Sequence, residues 1–350
     1  MTTPRTLMGS RNSTGACNLM DSETPSARSL FHASGDVAVI QSTRRSALTQ
    51  LVSGLFAAAL PVAVPRTAGA DSPDTRSPDP HTAAAHHPNP TTAPPGRLKQ
   101  SLCHWTYQSV PLPDLCQRLK HMGLAGIDLL YTDEWSIAHD AGLTVSMGYP
   151  TRRDEFIATG FNNPANHKLL LNELETTLPL AARAGVPNVI TMFGNRDPAR
   201  DDQAAIDTCI TGLSKIAPLA EECGVTVCVE LLNSRVDHHG YQGDHTAFGV
   251  AVMKGVNSPR VKLLYDIYHM QIMEGDVIHT IRDNIQWIGH FHTGGVPGRH
   301  EIDDTQELNY HAVARAIADL GYTGYVAHEF MPTHPDPFTS LADALRICSV

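Results

Sequence analysis

Four side chains that can bind a metal ion or move a proton occur at the ends of four successive apolar segments in the second half of the chain. Glu230 lies in VTVCVEL, Asp266 ends VKLLYD, and the other two are His292 in IGHFHT and Glu329 in YVAHEF. Three carboxylates and one imidazole form a suitable ligand set for a divalent cation such as Mn²⁺, Mg²⁺ or Co²⁺. A single acidic residue at the end of an apolar segment would more often be a loop salt-bridge partner. Four polar residues, one at the end of each of four successive segments, favour a shared site.

These apolar segments are too short for helices and are typical of buried parallel strands. Each is followed by a loop and a helical pattern, and the same alternation continues through residues 97–350. Eight such units predict a single (β/α)8 barrel, the TIM-barrel fold of the α/β class. The carboxyl ends of all strands surround one opening in this fold, so the four side chains are expected to converge there.

The first predicted strand covers residues 98–105 and ends on His104 and Trp105. An aromatic side chain at this end would wall a substrate pocket, with core packing as the alternative, and His104 is a further candidate for substrate binding. After the second strand, Thr132 is expected to cap a short helix with the sequence DEWSIAHDAG. These residues extend the predicted site to the start of the barrel.

Residues 1–70 have the features of an export signal. The pair Arg44 and Arg45 precedes an apolar run over 51–64 and the small residues of 68–70. This order predicts export by the twin-arginine route to the periplasm or the outside of the cell. A membrane anchor is the alternative, but the run contains Gly and Pro and falls short of the ~20 apolar residues that a span requires.

Residues 71–96 are rich in Pro, Thr and His and are predicted to form a disordered linker, because this composition cannot bury a core. Histidines in this segment are candidates for incidental metal binding, but a solvated linker is the better interpretation. The remaining residues 97–350 are sufficient for one eight-stranded barrel.

Composition argues against two classes of protein. The chain has 26 Lys and Arg against 36 Asp and Glu, a formal charge of −10, and its first 70 residues are net basic, so the barrel is more acidic still. An acidic body disfavours a nucleic-acid partner, whose phosphates require basic surfaces. The seven cysteines include no C-x-x-C pair and are interpreted as small buried apolar residues, which disfavours a disulfide framework.

From the fifth strand onward the sequence resembles the hydroxypyruvate isomerase branch of the xylose-isomerase-like barrel superfamily, which also contains sugar phosphate isomerases/epimerases and ketose 3-epimerases. The resembling stretches are VCVELLN, LLYDIYHMQIMEGDVIHTIRDN, IGHFHTGGVPGRHEIDDTQELNY and GYVAHEF. The combination of YHMQ and GD with PGR-x-E and E-x-NY is specific, whereas residues before the fifth strand match by pattern only.

This resemblance implies that Glu230, Asp266, His292 and Glu329 bind the metal and that the two glutamates also act as an acid–base pair. It further implies that His269 and Arg299 contact substrate oxygen atoms. The residues alone leave alternatives open, namely a rim histidine bonded to backbone and a loop salt bridge with Glu301. Several hydroxypyruvate isomerases have Gln where this chain has His292, and His is typical of the epimerases, which weakens the substrate assignment.

Three further features are weaker candidates. Glu301 is expected to flank a Gly-rich loop, TGGVPG, that closes over the site and to contact substrate. His290 is expected to face the opposite side of its strand from His292 and to be structural. The cluster around His238 and Asp244 suggests a second metal, but loop hydrogen bonding is the preferred interpretation.

The predicted chemistry is movement of a proton between neighbouring carbon atoms of a hydroxy-carbonyl compound through an enediolate. We therefore predict a metal-dependent aldose–ketose isomerase acting on a small carbohydrate or hydroxy-keto acid. A ketose 3-epimerase, or a lyase or epimerase of 3-keto sugars, is the first alternative, and a sugar- or metal-binding barrel without turnover is the second. A pure binder needs no acid–base pair, which disfavours the second. The sequence is compatible with a homo-oligomer but does not decide the oligomeric state.

Overall fold

Eight parallel strands close into a barrel in the order of the sequence. The computed structural model describes residues 96–350, so the predicted signal region and nearly all of the predicted linker lie outside the described residues. Each strand pairs with the next, and the last pairs with the first. The predicted (β/α)8 architecture is thereby confirmed.

The strands are four to six residues long, and almost all of their residues are buried. Their bounds are β1 Lys99–Cys103, β2 Gly126–Leu130, β3 Thr144–Gly148, β4 Asn188–Met192, β5 Thr226–Leu231, β6 Val261–Asp266, β7 Ile288–Thr293 and β8 Tyr325–His328.

Helices follow the strands and cover the outside of the barrel. Their bounds are α1 Leu112–Met122, α2 Trp135–Asp140, α3 His167–Ala184, α4 Asp202–Cys223, α5 Thr246–Val256, α6 Ile267–Met273, α7 Val277–Asn284, α8 Tyr310–Asp319 and α9 Pro337–Cys348. Within residues 96–350 none of these helices has the length and apolar character needed to cross a membrane.

Helix α4 shows how local sequence sets the element boundaries. The Asp201 side chain accepts a hydrogen bond from the Ala204 amide at 2.8 Å and caps the helix start. Gly224 ends the helix in the left-handed conformation, with φ of 67°, which a glycine adopts without steric cost. These two residues therefore fix where the helix begins and ends.

Strand register brings the predicted site residues to one level of the barrel. Asp266 pairs with His292 across β6 and β7, and Glu230 pairs with Met192 on the other side. Glu329 follows β8 directly, and its amide donates to the Thr293 carbonyl at the end of β7. All of these positions lie at the carboxyl ends of the strands, where TIM barrels carry their sites.

Two boundaries differ from the prediction. Strand β1 ends at Cys103, and His104–Tyr107 forms a 3₁₀ turn, so His104 is not a strand residue. Thr132 does not cap α2, which begins at Trp135 after Glu134.

Helix α6 was not predicted as a separate helix. It begins directly after β6, because the Asp266 carboxylate accepts bonds from the Tyr268 and His269 amides at 2.8 and 3.3 Å. A strand that turns into a helix without a loop carries no turn signal in its sequence.

Candidate active site

The four side chains predicted to bind metal converge inside the mouth of the barrel. One potential ligand atom from each of them lies within 4.8 Å of the other three. Asp266 and His292 are fully buried, and the two glutamates are nearly so. Charged groups are this deeply buried only when they are paired or bind an ion. The residues are Glu230, Asp266, His292 and Glu329.

The His292 ring points one nitrogen at the carboxylates and the other at a supporting residue. Nδ1 lies 2.7 Å from Glu329 Oε2 and 3.5 Å from Glu230 Oε1. On its other side, Nε2 lies 2.9 Å from the Asp128 carboxylate. Nδ1 is buried and has no partner with hydrogen-bond geometry among the described residues. An imidazole that donates through one nitrogen to a carboxylate and leaves the other free is the usual arrangement of a metal-binding histidine.

Asp128 on β2 supports two histidines, and the sequence did not predict it as a site residue. The same carboxylate oxygen lies 3.0 Å from His290 Nε2, while Ser146 Oγ donates to the other oxygen at 2.5 Å. Although burial opposes ionisation, His290 and His292 hold the pKa of Asp128 well below its usual range. The prediction that His290 faces the other side of β7 is wrong, because residues two apart in a strand share one face.

Arg299 and Trp105 fix the Glu329 carboxylate. Arg299 Nη2 lies 2.6 Å from Glu329 Oε2 and 3.0 Å from Asp266 Oδ2, and Trp105 Nε1 donates to Glu329 Oε1 at 2.6 Å. Burial opposes ionisation, but Arg299 and His292 hold the pKa of Glu329 well below its usual range. Arg299 thus pairs with two predicted metal ligands, and the alternative of a loop salt bridge to Glu301 is wrong.

The other two carboxylates differ from Glu329 in their surroundings. Burial raises the pKa of Glu230, and it raises the pKa of Asp266 to about 7 against the opposing effect of Arg299. Among the described residues, the sole ion pair of Glu230 is the 3.5 Å approach of His292 Nδ1. The Glu230 oxygens are therefore the least occupied of the site and can accept a proton.

His269 presents a single hydrogen-bond donor to the site. The Asn233 side-chain oxygen accepts from the amides of Val236 and Asp237 at 2.9 and 3.0 Å, which fixes the orientation of the amide group. Its nitrogen therefore donates to His269 Nδ1 at 2.7 Å. Burial and Arg299 hold the pKa of His269 well below its usual range, so the ring is neutral. The proton must then be on Nε2, which is buried, has no hydrogen-bond partner within residues 96–350, and lies 3.5 Å from Asp266 Oδ2.

This set of groups fits a divalent cation. With all three carboxylates ionised, as metal ligands are, they and the Arg299 guanidinium would carry two net negative charges in a buried space. A divalent cation would neutralise them, and His292 Nδ1, which has no hydrogen-bond partner within residues 96–350, lies close to the Glu329 and Glu230 carboxylates. Hard oxygen ligands with one imidazole suit Mn²⁺, Mg²⁺ or Co²⁺.

A cavity of about 650 Å³, here called the reaction cavity, opens above these groups. Glu230, Glu329 and Arg299 form part of its floor. Aromatic rings and the loop between β3 and α3 form much of its wall, including Trp105, Tyr131, Tyr149 and Phe156. Aromatic walls around a few polar groups are typical of small-molecule sites.

Of the four predicted substrate-binding residues, Arg299 lines this cavity, whereas His104, His269 and Glu301 do not. His104 lies in the turn after β1 outside the lining, whereas its neighbour Trp105 belongs to the lining. Glu301 accepts bonds from the Thr333 amide at 2.6 Å and from Ser340 Oγ at 2.8 Å. These bonds outweigh burial and lower the pKa of Glu301 to about 2. The prediction for Glu301 is therefore corrected: its carboxylate is used to hold the segment between β8 and α9.

The His and Asp cluster after β5 is joined by loop hydrogen bonds. Asp244 accepts from Ser234 Oγ at 2.6 Å and lies 2.8 Å from His245 Nδ1. Arg196 Nη2 approaches the same carboxylate at 3.4 Å. These contacts match the preferred interpretation of the cluster.

Comparisons with known proteins agree with the barrel fold. Residues 107–348 match the protein family described as xylose isomerase-like TIM barrel. A 2-oxo-tetronate isomerase of Cupriavidus necator is 39% identical over 136 residues, which cover 39% of this chain and 52% of that protein. A putative hydroxypyruvate isomerase of Danio rerio is 30% identical over 148 residues, which cover 41% of this chain and 54% of that protein. The matched stretch thus spans about half the length of these two relatives.

A solved structure shows the same fold. The crystal structure of an AP endonuclease, family 2, from Brucella melitensis has a TM-score of 0.61 and 24% sequence identity. The aligned region covers 69% of this chain and 96% of the endonuclease chain. At this identity the likeness concerns the barrel architecture alone.

Proposed function

Since this chain belongs to the xylose isomerase-like TIM-barrel family, we propose that it is a divalent-metal-dependent isomerase. The proposed reaction converts a small hydroxy-carbonyl substrate between aldose and ketose forms, as a hydroxypyruvate isomerase does. The observation that carries the proposal is the convergence of two glutamates with Asp266 and His292 beneath the reaction cavity. The names of the two relatives, both isomerases, support it.

The proposed mechanism starts with Glu230. Its carboxylate has free lone pairs and lines the cavity, so it removes a proton from the carbon atom next to the carbonyl group. A positioned general base of this kind contributes about 10²–10⁴-fold. This step gives an enediolate and protonated Glu230, which returns the proton to the neighbouring carbon. Ionised Glu329 transfers the hydroxyl proton from one substrate oxygen to the other. Glu230, Asp266, His292 and Glu329 would hold a divalent cation, which would supply Lewis-acid stabilisation of the charge that develops on the substrate oxygen.

Two further residues orient the substrate in this proposal. His269 directs its Nε2 proton towards the site and donates to a substrate oxygen. Arg299, unlike the fully buried His269, lines the reaction cavity, where it holds Glu329 and faces the ligand. Trp105 and the other aromatic rings provide apolar faces against which the carbon skeleton packs.

A second candidate is epimerisation of a ketose at its third carbon. The volume of about 650 Å³ favours it, because a three-carbon hydroxy acid fills little of such a space. His292 also supports it, since the resemblance associates His at this position with epimerases. Both reactions use the same proton removal, so the residues named above keep their roles.

A metal-replacement assay tests the proposed function. The purified full chain is stripped with EDTA, resupplied with Mn²⁺, Mg²⁺ or Co²⁺, and assayed with hydroxypyruvate, free ketoses and 3-keto glycosides. We expect turnover to disappear with EDTA and to return with a cation, and Asp266→Asn to lose both Mn²⁺ binding and activity. Asp319→Asn, at a surface pair with Arg97, is the matched control and should remain active. Turnover that survives complete metal removal would contradict the proposal.

A further inference from the structure

A second cavity of about 420 Å³, here called the side cavity, adjoins the reaction cavity. The two cavities share four lining residues, which are Trp105, Asp237, His238 and Arg299. No residue of the predicted metal set lines the side cavity. It is therefore a space next to the reacting groups but separate from them.

The partition between the cavities is a planar cation between two aromatic rings. The Arg299 guanidinium carbon lies 5.4 Å from the centre of the Trp105 ring and 5.1 Å from that of Tyr268. Arg299 has a left-handed φ of 57°, which is uncommon for a residue with a side chain. Its ion pairs with Glu329 and Asp266 hold the guanidinium in this place.

The side cavity is apolar wherever it does not share residues with the reaction cavity. Its own lining consists of Val236, Tyr268, Ile272, Val296, Pro297, Gly298 and Met331. The sole side-chain polar atom of this set, the Tyr268 hydroxyl, already donates to Asp237 Oδ2 at 2.8 Å. A ligand in this space therefore gains from apolar contact rather than from hydrogen bonds to these side chains.

The rim of the side cavity is also apolar and exposed. Among residues 96–350, five large apolar side chains are exposed, and two of them, Val236 at 59% and Met331 at 42%, line this cavity. Exposed apolar side chains gathered around a concave space mark a binding site more often than isolated ones do. Continuity with the reaction cavity indicates an occupant that enters both spaces.

We propose that the side cavity is a subsite for an apolar alkyl or aryl substituent carried by the substrate. This inference rests on the proposed function in one respect: the polar, reacting part of the substrate must lie in the reaction cavity. The substrate class that fits both spaces is a carbohydrate that keeps a free keto group and carries an apolar substituent, such as a keto-glycoside with an apolar aglycone. Arg299 and Trp105 would then lie at the junction between its polar and apolar parts.

A homologous series of ligands tests the subsite by binding alone. The probes are n-alkyl β-D-glucopyranosides from methyl to hexyl, titrated by calorimetry into the Mn²⁺-supplemented full chain. They have no carbonyl group, so their binding does not depend on turnover. Each CH₂ that enters the side cavity is expected to tighten Kd by about fourfold.

Variants assign that gain to the side cavity. Ile272→Trp fills the space and should abolish the dependence on chain length while leaving methyl glucoside binding unchanged. Should this variant fold poorly, the exposed pair Val236→Ser and Met331→Ser should reduce the dependence instead. Leu320→Ser, an exposed apolar residue on neither cavity lining, is the control and should bind as the native chain does.

Several outcomes would overturn the subsite. They are a Kd independent of chain length, no binding of any member of the series, or a dependence that Ile272→Trp leaves unchanged. Self-association that the rim variants abolish, without alkyl binding, would instead assign the surface to contact between copies of the chain. Failure of the proposed function would be recognised separately, as absence of metal-dependent turnover in the presence of normal alkyl binding.

Discussion

The position of one proton on His269 depends on Asn233, whose side chain bonds to His269 and to the backbone of Val236 and Asp237. Asn233→Asp keeps the two acceptor bonds to the backbone but replaces the nitrogen that donates to His269 Nδ1 with a carboxylate oxygen. That oxygen also faces Asp237 and attracts a proton to Nδ1. We expect activity to fall by about 10–100-fold, as for other residues that orient a site group.

Nitrogen NMR of the histidine rings measures this prediction directly. The native chain should show His269 protonated on Nε2 alone, and Asn233→Asp should show a protonated Nδ1. Asn172→Asp, which adds the same charge on an exposed face of α3, should change neither the ring signal nor the activity. An unchanged His269 signal in Asn233→Asp would refute the assigned role of Asn233.

Sequence patterns located the four predicted ligands because each is the polar residue at the end of an apolar strand. Asp128 was missed because it lies within the buried strand GIDLL, where its neighbours in space come from β3 and β7. The one available signal was an acidic residue in an otherwise apolar segment. Glu301 was misassigned because its neighbour Arg299 faces the site while its own carboxylate faces Thr333 and Ser340.

At the scale of elements, the loop between β3 and α3 forms a wall of the reaction cavity and is fixed to the end of β4. Phe161 and Asn162 donate their amides to the carbonyls of Met192 and Phe193 at 3.1 and 2.9 Å. A methyl group added at Gly160 would lie 2.0 Å from the Phe193 carbonyl carbon, which is backbone and cannot rotate away. Gly160 thus allows the close approach of the two segments.

We expect Gly160→Ala to displace this loop and lower kcat/KM by up to about 100-fold, the cost of a misplacement of roughly 1 Å. Gly255→Ala on α5 is the matched control, because the three atoms nearest its added methyl group all belong to the Ile210 side chain, at 2.2 to 3.4 Å, and none belongs to backbone. Steady-state kinetics and thermal unfolding of both variants provide the measurement. Native kinetics in Gly160→Ala would show that the loop position does not matter for catalysis.

Elements with strong local signals were predicted closely, and those without them were not. Helix α4 has a capping Asp201 and a terminal Gly224, so its limits follow from the sequence. The turn at His104–Tyr107 and helix α6 start directly at strand ends. The Asp266 side chain itself caps α6. The same residue therefore starts this helix and belongs to the predicted metal-binding set.

At the scale of the whole molecule, we propose that residues 1–70 direct export and that the barrel acts outside the cytoplasm. These residues lie outside the described part of the structure, so the proposal depends on the sequence pattern alone. Replacing Arg44 and Arg45 with Lys should retain the protein in the cytoplasm, because the twin-arginine receptor reads the arginine pair. Cell fractionation measures the outcome, and unchanged secretion of the double variant would contradict it.

The most direct test of the central claim is solvent proton exchange during turnover. The native enzyme, supplied with Mn²⁺ and its substrate in D₂O, should place deuterium on the carbon atom next to the carbonyl group, observed by NMR. Glu230→Gln, confirmed to bind Mn²⁺, should lose this exchange by roughly 10²–10⁴-fold, whereas Glu175→Gln on the exposed face of α3 should keep it. Native turnover without any deuterium, even in slowly formed product, would contradict the account and favour direct hydride transfer, with Glu230 and Glu329 as metal ligands only.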